Sequence, residues 1–130
     1  MANTKIFADK YMSNDFRINY ERFVDQANEL EIVWNLKSTD GFAICESSEF
    51  DDAQVMPFWS LEKDAKDACV DDWIIYKPNP VRIDDFIDAW LHGMDEDEMY
   101  VGINWNSELE GVEIEPVMLI EDLLGEESGF

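Results

Sequence analysis

At 130 residues the chain is sized for one domain, long enough to bury about two thirds of its unfolded surface. Hydrophobic residues make up 46% and aromatics 13%, which excludes an intrinsically disordered profile. The net charge is −22, and no lysine or arginine follows Arg82 although the last 48 residues carry 15 carboxylates, so direct nucleic-acid binding and anionic membranes are excluded as targets.

Met1–Tyr11 lacks the apolar core of a signal peptide, and no apolar run approaches membrane-spanning length, so the chain reads as soluble and cytoplasmic. Ser13 is the expected N-cap of a helix through Asn28, with Phe16, Tyr20, Phe23, Val24 and Ala27 on one face. From Glu31 to Lys37 the pattern alternates, setting Ile32, Trp34 and Leu36 against Glu31, Val33 and Asn35. Ser38-Thr39-Asp40-Gly41 turns the chain into a second strand, Phe42–Glu46. An acidic loop, 47–54, leads to a third strand, Val55–Trp59. Ser60 is the expected N-cap of a helix to about Val70, with Leu61, Ala65, Ala68 and Cys69 inward. Trp73–Tyr76 is strand-like and should stop at Pro78 and Pro80, which cannot donate to a ladder. Asp84 and Asp85 start a helix with Phe86, Ile87, Trp90 and Leu91 inward, and Gly93 should close it. Met99–Trp105 is a strand, Gly111–Glu115 a shorter one, and Pro116 opens a last helix to Leu124 before a frayed 125–130 tail. The order α-β-β-β-α-β-α-β-(β)-α specifies a single α+β domain over 1–130, a mixed or mainly antiparallel sheet with helices on one face.

The acidity is uneven: residues 1–44 hold five basic and seven acidic side chains, residues 73–130 two and fifteen. Such self-repulsion costs stability that salt restores, so the melting temperature is expected to climb as salt rises from low to physiological levels. A thermal scan indifferent to salt over that range would contradict this.

No catalytic, metal or cofactor constellation emerges. His92, the lone imidazole, precedes Gly93 where a cation suits the helix dipole, so it reads as a C-terminal cap. Cys45 and Cys69 sit in apolar surroundings without a CxxC and read as buried free thiols of a reducing compartment. Asp95-Glu96-Asp97-Glu98 is the densest charge run, but it lacks the central glycine of an EF-hand and reads as a solvated loop. Ser60 has no G-x-S-x-G around it, and Gly93, Gly102 and Gly111 form no phosphate-cradling loop. Phe58 and Trp59 point to opposite faces of one strand, so one of them is expected at the surface or under a loop. Asn104-Trp105-Asn106 places an indole between amides, an arrangement suited to an interface anchor or to a turn.

The ordered set Val33-Trp34-x-Leu36, Gly41-Phe42-Ala43, Pro57-Phe58-Trp59-Ser60, Ala65, Trp73, Phe86-x-x-x-Trp90-Leu91 and Val101-Gly102-x-Asn104-Trp105 resembles a family of small bacterial proteins, domain of unknown function 2750. The similarity runs from about Phe16 to Leu124 and implies a stand-alone bacterial cytoplasmic domain. It supplies no catalytic residues.

Three function classes compete. The favoured one is a non-catalytic acidic domain that engages a basic protein, as an immunity or inhibitor protein engages a nuclease toxin. Acids would steer the encounter and aromatics would anchor it. Its candidate contact residues are Trp59, Asp84, Asp85, Asp88, Asp95, Glu96, Asp97, Glu98, Asn104 and Trp105. The alternatives are a soluble adaptor without a charge-based target, and a carboxylate- or metal-dependent enzyme.

Overall fold

The computed structural model describes residues 12–125, so the expected frayed tail beyond Gly125 lies outside the described residues. Helix α1 (Phe16–Leu30) is capped by Asp15 rather than Ser13: the Asp15 carboxylate accepts the Arg17 N–H at 2.9 Å. Ser13 instead clasps Asn19, donating its N–H to Oδ1 at 2.7 Å and accepting from Nδ2 at 2.9 Å through its carbonyl. The carboxylate two residues before Arg17 reaches an otherwise unpaired helical donor, which is what an N-cap has to do.

Strands β1 (Ile32–Ser38) and β2 (Gly41–Phe42) form the expected hairpin, with Ser38 opposite Gly41, and Gly41 adopts the positive φ of 134° that the turn demands. The anticipated strand 42–46 is broken. Ala43 still donates to the Leu36 carbonyl at 2.9 Å, but Cys45–Glu46 crosses to a second sheet as β3 and pairs with β4 (Gln54–Phe58). Helix α2 (Glu62–Asp67) follows β4 and a 3₁₀ turn spans Asp71–Trp73.

The strand then begins where sequence reasoning ended it. β5 (Lys77–Arg82) contains both Pro78 and Pro80 and pairs antiparallel with β1 from Lys37–Lys77 to Ile32–Arg82. This is possible because β5 is the edge of the sheet β2-β1-β5. Prolines two apart share one side of the strand, and their missing donors face away from β1.

Helix α3 also outruns its predicted stop. It comprises α-helical Ile83–Asp85, a π-helical stretch Phe86–Trp90 and α-helical Leu91–Glu96, so Gly93 is interior. Burial of Met94 beyond the glycine outweighs glycine's modest helix penalty. Strands β6 (Tyr100–Ile103) and β7 (Val112–Ile114) and helix α4 (Pro116–Leu124) fall where expected, with Pro116 in the first turn and Gly125 as a left-handed cap.

The architecture is α+β, as the element order indicates, but the strands form two sheets: β2-β1-β5 and β3-β4-β6-β7. A reciprocal pair of 2.8 Å backbone bonds between Trp34 and Trp59 joins them. Pairing is antiparallel throughout except for β4 with β6, which run parallel with Val55 opposite Tyr100.

Helices cover both faces rather than one. On the first face Val33, Met56, Phe58, Val101 and Ile103 pack with residues of α1, α3 and α4, among them Phe23, Phe86, Leu91 and Leu119. Phe58 lies 4.7 Å from Phe86 between ring centroids, and Phe86 meets Phe23 edge-on at 6.2 Å. On the second face Leu36, Val55, Trp59 and Trp105 pack with Ala65 and Ala68 from the α2 region. The strict alternation along β4 is the cause: Met56 and Phe58 point one way, Val55 and Trp59 the other. Phe58 and Trp59 do lie on opposite faces, but both are fully buried, because the second face has a helix of its own.

Candidate functional site

In open sheets, ligands favour the crevice at the carboxyl ends of parallel strands. Here that end of the β4–β6 pair is filled by the protein's own side chains. Asn104, held at φ 46°, accepts the Ser60 N–H through Oδ1 at 3.0 Å. Its Nδ2 donates to the Asn19 carbonyl and to Ser60 Oγ, both at 3.1 Å. Ser60 Oγ donates to Gln26 at 2.7 Å, Arg22 Nε reaches the same Gln26 oxygen at 3.2 Å, and the Arg22 guanidinium pairs with Asp64. Ser60 is therefore neither a helix cap nor an accessible nucleophile. It is buried, and α2 is capped from Leu61 without a side-chain bond.

The same geometry corrects three of the expected contact residues. Trp59, Asn104 and Trp105 are buried and expose no face to a partner. The Trp59 indole donates to the Trp105 carbonyl at 2.9 Å, and the Trp105 indole to the Val112 carbonyl at 3.0 Å. Asn106 stabilises a turn, its Oδ1 accepting the N–H groups of Glu108 and Glu110. These residues lock the end of the sheet.

The opposite, amino end of the β4–β6 pair is open. Because the strands are parallel, the residues leading into them lie side by side: Asp51–Ala53 ahead of β4, and Asp95–Met99 ahead of β6. Between these segments and the start of α4 runs a groove of about 470 Å³, lined by Asp51, Asp52, Asp95, Glu98 and Glu115 over Met99 and Tyr100. A contiguous hollow sharing Asp52, Glu98 and Met99 adds Glu46 and Asp97. Neither lining includes a basic residue among the described residues. One wall carries Phe50, 39% exposed, whose ring stacks on Tyr100 at 4.2 Å and 6°.

Asp95 to Glu98 are all exposed, but they are not a plain loop. Asp95 and Glu96 form the last helical positions of α3, and Glu98 turns the chain at φ 58°. Carboxylates at a helix C-terminus face the negative end of the dipole, so the run destabilises the helix it ends. Asp84 and Asp85 are exposed too, but at the other end of α3, and Asp88 lies nearer its middle, so the three are about 10–20 Å away at 1.5 Å per residue. There Asp84 approaches Arg82 at 4.0 Å, and the two acidic sets do not merge.

Other sequence candidates change role. His92 is an exposed residue inside α3, not its cap. Cys45 and Cys69 are free and half-buried. Burial raises both thiols, and Glu113 raises Cys45 further, which leaves little reactive thiolate. Tyr20, donating to Asp122 across α1 and α4, is likewise pushed up, by burial first and then by that carboxylate. Among the described residues no three acids, histidines or cysteines converge to hold a metal ion, and no helix is long and apolar enough to cross a membrane.

Sequence reasoning missed Glu46, Phe50, Asp51, Asp52, Tyr100 and Glu115 as groove residues. The acidic loop and the run 95–98 were each visible, but their meeting depends on the parallel pairing of β4 with β6. No curated protein and no solved structure matches the chain. A family model described as protein of unknown function (DUF2750) matches residues 20–123, which takes in α1 from Tyr20, every strand and α4 to Leu123. The chain belongs to that family.

Proposed function

We propose that the chain is a non-catalytic acidic binding domain that takes a basic protein partner at the groove between the 46–54 loop and the end of α3, as an immunity or inhibitor protein takes a basic toxin such as a nuclease. The observation that carries this reading is the groove's uncompensated charge. Its carboxylates face one another without a basic neighbour among the described residues, and part of them sit at a helix end that disfavours them. A site kept at a cost to stability is a functional candidate. A basic partner would relieve both penalties at once, with Phe50 as the exposed aromatic anchor. Two unpaired thiols fit a bacterial cytoplasm as its setting.

Affinity capture from bacterial lysate at low salt, with salt elution and mass spectrometry, tests the reading. One basic protein captured stoichiometrically is expected. Lysines in place of Asp95, Glu96, Asp97 and Glu98 should slow its association by about tenfold or more, in keeping with electrostatic steering. Lysines at Asp84, Asp85 and Asp88 should do far less. Equal losses from the two sets, or capture of ribosomal proteins alone, would reduce the acidity to a generic property.

A second reading has its own observation. Ile74 and Ile75 are 68% and 61% exposed side by side, an apolar prominence suited to an adaptor that selects its partner without charge. Serines at both positions would abolish capture under that reading and spare it under the first.

A further inference from the structure

The loop joining β3 to β4 is tied down from a distance. One backbone bond closes it, Ser47 N–H to the Ala53 carbonyl at 2.9 Å. Within it, Ser47 Oγ accepts the N–H groups of Glu49 at 3.0 Å and Phe50 at 2.8 Å. The remaining polar anchor is Glu113, on the strand at the far edge of the same sheet. Its carboxylate takes the Ser47 hydroxyl on one oxygen, and the Ser48 N–H at 3.1 Å and hydroxyl at 3.0 Å on the other. The Phe50–Tyr100 stack is the one aromatic contact the loop makes among the described residues.

Against these ties stands repulsion. Asp51 and Asp52 form one wall of the groove, Asp95, Glu98 and Glu115 the other, and no cation lies between them among the described residues. Like charges a groove's width apart push the loop outward, and mobile cations screen that push. Hydrogen bonds from a carboxylate to hydroxyl and amide donors act at contact distance and are far less sensitive to salt.

We propose that Ser47–Ala53 is a flap latched by Glu113, and that cations entering the groove hold it shut. Closure then builds the acidic wall that a polycation meets, so binding and closing reinforce each other by linkage. The use of this flap to regulate a partner rests on the reading of the groove as a binding site for a basic protein; the latch stands without it.

Amide hydrogen exchange by NMR tests it on the whole chain, because Ser48, Glu49 and Phe50 each have an N–H whose acceptor belongs to the latch or to Ser47. In Glu113→Ala, exchange of these amides should speed up by about tenfold, while amides of Val55 and Val101 keep their protection as local opening requires. Should that variant lose protection everywhere, Ser48→Ala on the exposed loop provides the same comparison with one of the three Glu113 contacts, the Ser48 hydroxyl, removed and a smaller gain in exchange expected. Sodium chloride or spermine should raise protection in the wild type relative to the variant at the same concentration, a comparison that removes the effect of salt on intrinsic exchange. Equal exchange in wild type and variants overturns the latch. Protection that ignores both salt and spermine overturns the control by cations. Cation-dependent closure without capture of any basic protein would confirm the flap and sink the binding function.

Discussion

Replacing Asp64 with alanine is expected to destabilise the domain by about 3–5 kcal/mol, the range for removing one partner of a buried ion pair. That is a large part of the roughly 5–15 kcal/mol available to a domain of this size. The side chains of Arg22 and Asp64 are 1% and 4% exposed. Asp64 is the guanidinium's only carboxylate among the described residues, and it also accepts from Lys63 Nζ at 3.1 Å. Arg22 Nη1 already has no acceptor there. Losing Asp64 would strand Nη2 as well, on a guanidinium that is almost wholly buried. The strain would reach further, since Arg22 Nε shares the Gln26 oxygen with Ser60, and Ser60 holds Asn104. Urea unfolding of Asp64→Ala gives the figure directly, and the double variant Arg22→Met with Asp64→Leu supplies the contrast. Removing both charges should recover most of the loss, as apolar replacement of buried pairs does. A single variant that loses under about 1 kcal/mol would place the pair with solvent-exposed bridges and refute the argument.

Arg22 and Asp64 also show where a sequence stops being readable. On α1 the apolar spacing identified Phe23 and Ala27, both of which are buried. Asn19, Arg22 and Gln26 lie on the adjoining stripe at the same three- and four-residue spacing, and two of them are buried. A polar residue at a core-facing position looks like a solvated one until its partner is known, and the partners here include Asp64 on α2, Ser60 just after β4 and Ser13 ahead of α1. The hairpin at Asp40-Gly41 and the start of α4 at Pro116 were legible because a few neighbouring residues determine them. β5 was misplaced because proline forbids only one side of a strand, and which side is free depends on the sheet order. Gly93 misled for a related reason: a glycine weakens a helix by about 1 kcal/mol, and packing at Met94 exceeds that. Of the site, the acids at 95–98 were read from charge density alone. Their opposing wall was not, since it is a parallel crossover, with α2, β5 and α3 between its strands, that joins them.

Charge density also explains why the two sets of predicted acids differ in meaning. Asp84 and Asp85 occupy the first turn of α3, where carboxylates favour the helix dipole and need no further reason to be there. Asp95 and Glu96 occupy its last turn, where the same chemistry works against the helix. Composition counts them alike; position along the dipole separates a stabilising feature from a costly one.

Gly102→Ala is the second large effect expected, about 3 kcal/mol or more, at the upper end for forcing volume into a packed site. A Cβ at Gly102 would stand 2.5 Å from Cε2 and Cζ2 of Trp105 and 2.9 Å from its Nε1. The ring cannot swing aside without cost. Its indole N–H is committed to the Val112 carbonyl, and its own carbonyl receives the Trp59 indole. Gly111 closes on the same ring, with a Cβ there 2.7 Å from Cδ1. Gly93→Ala is the control, since a Cβ at that helical position meets nothing within 4 Å. It should be neutral or stabilising by up to about 1 kcal/mol. Urea unfolding compares the two, and near-ultraviolet circular dichroism follows the tryptophans. The expected contrast would make Val101-Gly102-x-Asn104-Trp105 a lock on the fold: glycine clears room for the indole, and Asn104 bridges α1 to the end of β4. One of the stretches that together carry the family resemblance would then say how the chain folds. If Gly102→Ala proved as stable as Gly93→Ala, the indole would have to be mobile enough to leave its seat, and Trp105 would return as an anchor for a partner.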